Sequence, residues 1–123
     1  MIIGIRDVYY SVTDMRKAVA FYRDVLGLSL IEESSGWSAF DVNGVRLGLH
    51  ERDPGAPLGA VVTFEVENLD KAIENLRHRG VRFRGAAEHE EFGSLIEFED
   101  AEGNVAKLLE PRRRKLNDNA SDG

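Results

Sequence analysis

Apolar residues recur at helical spacing in two stretches of the chain, and a strand-like alternation leads into each. From Val12 to Gly27 the stripe is Ala18, Phe21, Tyr22, Val25 and Leu26; from Val66 to Gly80 it is Leu69, Ala72, Ile73 and Leu76. Setting Val12-Thr13-Asp14-Met15-Arg16-Lys17-Ala18-Val19 against Val66-Glu67-Asn68-Leu69-Asp70-Lys71-Ala72-Ile73 keeps a constant offset of 54 residues. The chain therefore reads as two related halves. Asp14 and Asn68 stand where helix N-caps are wanted, and Gly27 and Gly80 where each helix stops.

Period-two patterns fill the remainder. Ile5 to Val12 predicts a strand with Val8, Tyr10 and Val12 on the face under the helix and Asp7, Tyr9 and Ser11 on the other. Leu28 to Glu33, Trp37 to Val42 and Val45 to His50 predict three short strands, the last two joined by Asn43-Gly44, a strong two-residue hairpin signal. The second half repeats the order with strand Ala60 to Val66, helix Leu69 to Arg79, and strands near Val81 to Ala86, Leu95 to Glu99 and Asn104 to Glu110. An α+β fold of two βαβββ modules follows, over residues 5–50 and 60–110. Residues 51–59, with Pro54, Gly55, Pro57 and Gly59, are the expected linker. Residues 1–110 make one domain, and 111–123 a disordered basic and polar tail.

Composition narrows the function. The 123 residues are 42% hydrophobic, enough for one real core, and contain no cysteine, so neither disulfides nor thiolate metal sites are available. No apolar run approaches the roughly 20 residues that span a bilayer. A soluble, cytoplasmic protein with no membrane partner is the expectation. A net charge of −6 disfavours nucleic acid, and Arg112-Arg113-Arg114-Lys115 at the chain end reads as a solubilising surface.

The run VTDMRKAVAFYRDVLGL, the turn Asp100-Ala101-Glu102-Gly103-Asn104 before the last strand and the paired βαβββ halves resemble the vicinal oxygen chelate superfamily. That group includes glyoxalase I, fosfomycin-resistance proteins, extradiol dioxygenases, methylmalonyl-CoA epimerase and bleomycin-binding proteins. The resemblance implies a cup-shaped curved sheet with helices packed outside, a small-molecule ligand in the cavity, and homodimers whose modules pair within one chain or across two. In the superfamily's metalloenzymes a divalent ion is held by His and Glu from the first and last strands of each module. The matching positions here are Asp7, Gly48, Val61 and Lys107. These imply that the metal has been lost and that no cofactor is needed, and they suggest an Asp7–Lys107 salt bridge in its place.

Strand alternation extends the lining from these positions. Tyr9 and Ser11 follow Asp7, Arg46 and His50 flank Gly48, Thr63 and Glu65 follow Val61, and Val105 and Leu109 flank Lys107. Gly48 is expected to leave room for a ligand, and Trp37 to stack on it or pack in a dimer interface. The candidate ligand-binding residues are Asp7, Tyr9, Trp37, Arg46, Gly48, His50, Thr63 and Lys107. Solvated positions are expected for His78, beside Arg77 and Arg79, and for His89-Glu90-Glu91 in a hairpin. Two main readings remain open. One is a metal-free protein that sequesters a cationic or aromatic small molecule; the other is an enzyme using Asp7, His50 or Tyr9 as acid or base. A third, a metal site built from Asp7, His50 and Glu65, requires Lys107 to turn away.

Overall fold

The computed structural model describes residues 1–56 and 59–112. The first half runs β1 (Ile2–Val12), α1 (Met15–Ala20) continued by a π-helical turn (Phe21–Val25), β2 (Ser29–Glu33), β3 (Trp37–Val42) and β4 (Val45–Glu51). The second runs β5 (Ala60–Val66), α2 (Leu69–His78), β6 (Arg82–Glu90), β7 (Gly93–Glu99) and β8 (Val105–Pro111). Both halves have the predicted β-α-β-β-β order. All eight strands form one curved, unclosed sheet in the order β2-β3-β4-β1-β5-β8-β7-β6. The modules meet through β1 and β5, which pair antiparallel; β1 with β4 and β5 with β8 are parallel.

Local chemistry sets the elements. The Asp14 carboxylate accepts from the Lys17 amide at 3.1 Å and the Asn68 side chain from the Lys71 amide at 3.0 Å, capping orphan donors of each first turn. A second cap reaches α2 from afar: Glu110 Oε1 accepts from the Leu69 amide at 2.8 Å, tying the helix to β8. Asn43 and Gly44 both take positive φ, at 53° and 91°, as a two-residue hairpin turn of matching twist requires.

Each helix covers its own core on the convex face. Val19, Phe40 and Leu49 are buried under α1 with Val12, Met15, Ala18, Tyr22 and Leu30 against them. Val66, Leu69, Ala72, Ile73, Ile96 and Leu108 form the counterpart under α2. Full burial of one such side chain contributes about 1.5–3 kcal/mol, so these clusters fix which face of the sheet is left for the cup.

The first apolar stripe is only partly buried. Phe21, Val25 and Leu26 are exposed, because the π turn inserts a residue into the helical repeat and swings them off the core face; the Leu26 amide donates to the Phe21 carbonyl at 3.1 Å, five residues back. Tyr10, expected under the helix, is also exposed. β1 begins at Ile2 rather than Ile5, and β6 runs on to Glu90 rather than ending near Ala86. Pro111 belongs to β8, and the Arg112 amide donates to the Phe92 carbonyl at 3.0 Å, so the expected tail does not start at 111. From Arg113 onward that tail, like Pro57 and Leu58 of the linker, lies outside the described residues. No helix among the described residues is long and apolar enough to cross a membrane.

Candidate functional site

Strand alternation that turns Phe40, Leu49, Phe64 and Leu108 towards the helices turns their neighbours into the concave face. There a cavity of about 610 Å3 is lined by seven of the eight residues singled out in the sequence: Asp7, Tyr9, Trp37, Arg46, His50, Thr63 and Lys107. Such a volume suits a small organic molecule.

One wall is aromatic. Trp37 and His50 lie opposite each other on β3 and β4, and Tyr9 reaches them from β1. The Tyr9 ring centroid is 5.6 Å from that of Trp37, edge to face at 71°, and 5.8 Å from that of His50. Gly48 is the exception among the eight. A Cβ there would stand 2.1 Å from Trp37 Cη2, so the room that glycine leaves is taken by the indole and not by a ligand. Trp37 is held at both ends: its backbone amide donates to Ser34 Oγ at 3.0 Å, and its Nε1 donates to Glu32 Oε1 at 3.4 Å. Glu32 also pairs with Arg46.

The floor is polar, and its pairing differs from expectation. Register places Asp7, Thr63, Lys107 and Glu97 side by side across β1, β5, β8 and β7. Lys107 is therefore one strand, about 4.8 Å, from Glu97 and two strands from Asp7. Its ammonium lies 4.0 Å from Glu97 Oε2 and 5.1 Å from the centre of the Tyr9 ring. No Asp7–Lys107 bridge forms. Asp7 is buried, and its Oδ1 has no hydrogen-bond partner. Burial raises the Asp7 pKa, opposed by the Thr63 hydroxyl and then by the charges of Arg6, Arg46 and Lys107.

Alternation missed the residues that bulges re-aim. Arg6 is an extra residue on β1 between the pairs Ile5–Phe64 and Asp7–Thr63, so it lines the cavity beside Asp7 instead of opposing it. Ile31 is the extra residue on β2, so Leu30 faces the core while Glu32 faces the cup. Glu88 and Glu90 line the cavity because β6 is longer than its pattern suggests. His89 lies between them at the end of β6, exposed and in the β6–β7 hairpin as expected, its Nδ1 2.8 Å from Ser94 Oγ. Conversely Ser11, Glu65 and Val105 do not line the cavity, and Glu65 lies 3.6 Å from Arg6.

A divalent ion does not fit these residues. Among the described residues no three His, Cys, Asp or Glu side chains converge as a ligand set, so Asp7, His50 and Glu65 do not make one.

Two βαβββ modules joined edge to edge around such a cup define the vicinal oxygen chelate fold. The chain belongs to the Glyoxalase/Bleomycin resistance protein/Dioxygenase superfamily, whose family model matches residues 4–108. Among curated proteins it is similar to the metallothiol transferase FosB of Staphylococcus haemolyticus (strain JCSC1435), 41% identical over 51 residues. That match spans 42% of this chain and only 37% of the transferase. The uncharacterised protein YetH of Bacillus subtilis (strain 168) is 27% identical over 120 residues, covering 89% of this chain and 100% of that one. The solved structure of methylmalonyl-CoA epimerase from Mycobacterium tuberculosis superposes with a TM-score of 0.76 at 22% identity, over 91% of this chain and 90% of that chain; the likeness is one of fold.

Proposed function

We propose that this chain is a metal-independent binding protein whose cup takes up an aromatic small molecule carrying a basic N–H group. The observation that carries the reading is Asp7 Oδ1, buried and without a partner beside the Tyr9–Trp37–His50 wall. An unsatisfied buried acceptor costs about 1–3 kcal/mol, which a ligand N–H in that position offsets. A protonated amine also compensates the carboxylate's charge, and the aromatic wall favours both a ring and a cation. The FosB and epimerase likenesses are to enzymes; the metal-free reading is supported by Asp7, Gly48, Val61 and Lys107, the residues that the resemblance puts at the family's metal-ligand positions.

A second reading is favoured by the raised Asp7 pKa. In it Asp7 exchanges a proton with a bound substrate, with His50 and Tyr9 beside it. Solvent deuterium entering an acidic C–H of a bound carbonyl compound, and failing to enter with Asp7→Asn, distinguishes catalysis from capture.

The working unit in this proposal is a homodimer in the cytoplasm. Exposed Ile2, Ile3 and Ile5 on β1, and Phe21, Val25 and Leu26 after α1, supply apolar surface for a second copy, and the cysteine-free composition suits a reducing compartment. The test of binding is thermal shift in chelator with phenethylamine and with hydrocinnamate, its matched aromatic acid. The amine should stabilise the wild type and not Asp7→Asn, and the acid neither. A preference for the acid, or stabilisation that needs added divalent metal, contradicts the proposal.

A further inference from the structure

The charges around the cup are unevenly compensated. Each lining cation faces a carboxylate: Arg6 lies 3.6 Å from Glu65, Arg46 pairs with Glu32, and Lys107 lies 4.0 Å from Glu97. Three lining carboxylates, Asp7, Glu88 and Glu90, have no cation within 4 Å among the described residues. They fall into two stations. Asp7 is on the floor in β1, with its buried oxygen unpartnered; Glu88 and Glu90 are two residues apart on β6, so both point inward from the edge of the sheet.

The stations are separated by the strand order β1-β5-β8-β7-β6. Four strand spacings of about 4.8 Å make a path of roughly 19 Å along the sheet, and the curvature shortens the direct line across the mouth. Phe92 and the Tyr9–Trp37–His50 wall line the same cavity, the wall on β1, β3 and β4 and so across the cup from β6. A monoamine satisfies the floor and leaves the rim carboxylates without a cation within 4 Å among the described residues.

Resting on the reading of the cup as an amine-binding site, we infer that its ligand class is the aromatic dication: a ring carrying two basic groups, one held at Asp7 and the other at Glu88 and Glu90. The floor contact is desolvated and supplies most of the affinity. The rim contact is exposed, adds less, and is screened by salt.

The test is calorimetric titration of the full chain at low ionic strength with phenethylamine and with derivatives bearing a para aminomethyl, aminoethyl or aminobutyl arm. One arm length should bind three- to tenfold tighter than phenethylamine, and high salt should erase the gain. In a folded E88Q/E90Q variant, verified by its melting transition, the ratio of diamine to monoamine affinity should fall to near one. Diamines no tighter than phenethylamine at every arm length, or an advantage that persists in E88Q/E90Q, overturn the inference and leave the reading of the cup standing. Failure of the wild type to bind any of the amines overturns both.

Discussion

The Trp37 indole rests on the backbone of Gly48, with Cζ2 2.6 Å and Cζ3 2.9 Å from where a Cβ would be. Side-chain volume at position 48 therefore sets the position of the aromatic wall. Gly48→Ala should push Trp37 off the wall and cost about 1–3 kcal/mol of stability through overpacking. Affinity for phenethylamine should fall at least tenfold, with a change in tryptophan emission. An unaltered emission spectrum and affinity would show that the contact is readily relieved.

Lys107 takes its charge partner from β7, across from Glu97, and not from Asp7. Glu97→Gln should free the ammonium to turn to Asp7, lowering the Asp7 pKa and weakening amine binding several-fold by direct competition. Lys107→Met should have the opposite effect on amine affinity. If the two variants change affinity in the same direction, the assigned pairing is incorrect.

Asp7 makes stability depend on pH in an unusual sense. Its folded pKa lies above the ordinary value of 3.8, so the folded state holds this proton more tightly than the unfolded chain does. The contribution is favourable while both states are protonated, and it is lost as pH rises from about 3.8 through the folded value. At neutral pH the buried carboxylate is thus a net burden. Asp7→Asn should raise the melting temperature at pH 7 by roughly 4 °C, the equivalent of about 1 kcal/mol, while abolishing amine binding. It should also flatten the melting temperature's fall across that pH window. A variant that melts lower at pH 7 would contradict this account of the floor.

Glu110 is the distant cap of α2, and its role is separable from the cup. Glu110→Ala should destabilise the protein by about 1 kcal/mol, as loss of a helix cap does, and leave amine affinity within twofold. Chemical denaturation with a parallel titration checks both halves of that expectation.

The fold was legible because its signals are local and repeated. The 54-residue offset, the caps at Asp14 and Asn68 and the Asn43-Gly44 turn are each encoded within a few residues. Face assignments held at Asp7, Tyr9, His50, Thr63 and Lys107, which all line the cavity, while Ser11, Glu65 and Val105 fall outside it. Alternation did not reach Arg6 and Glu32, where a one-residue bulge reverses the face and no glycine or proline marks it. The Asp7–Lys107 expectation failed for a different reason. Alignment places two residues at one site, but Thr63 stands between them in the sheet and Glu97 is nearer to the lysine. The exposed end of the first helix was hidden as well, since a π turn preserves the apolar sequence stripe while breaking its geometry.

In the proposed function the cup binds an aromatic amine through Asp7 without a metal. Calorimetric titration of chelator-stripped protein with phenethylamine, repeated after addition of Mn2+, tests it most directly. Saturable heat with one site per chain is expected in the stripped protein, unchanged by Mn2+ and absent in Asp7→Asn. Heat that appears only once the metal is present, or that survives in Asp7→Asn, would contradict it.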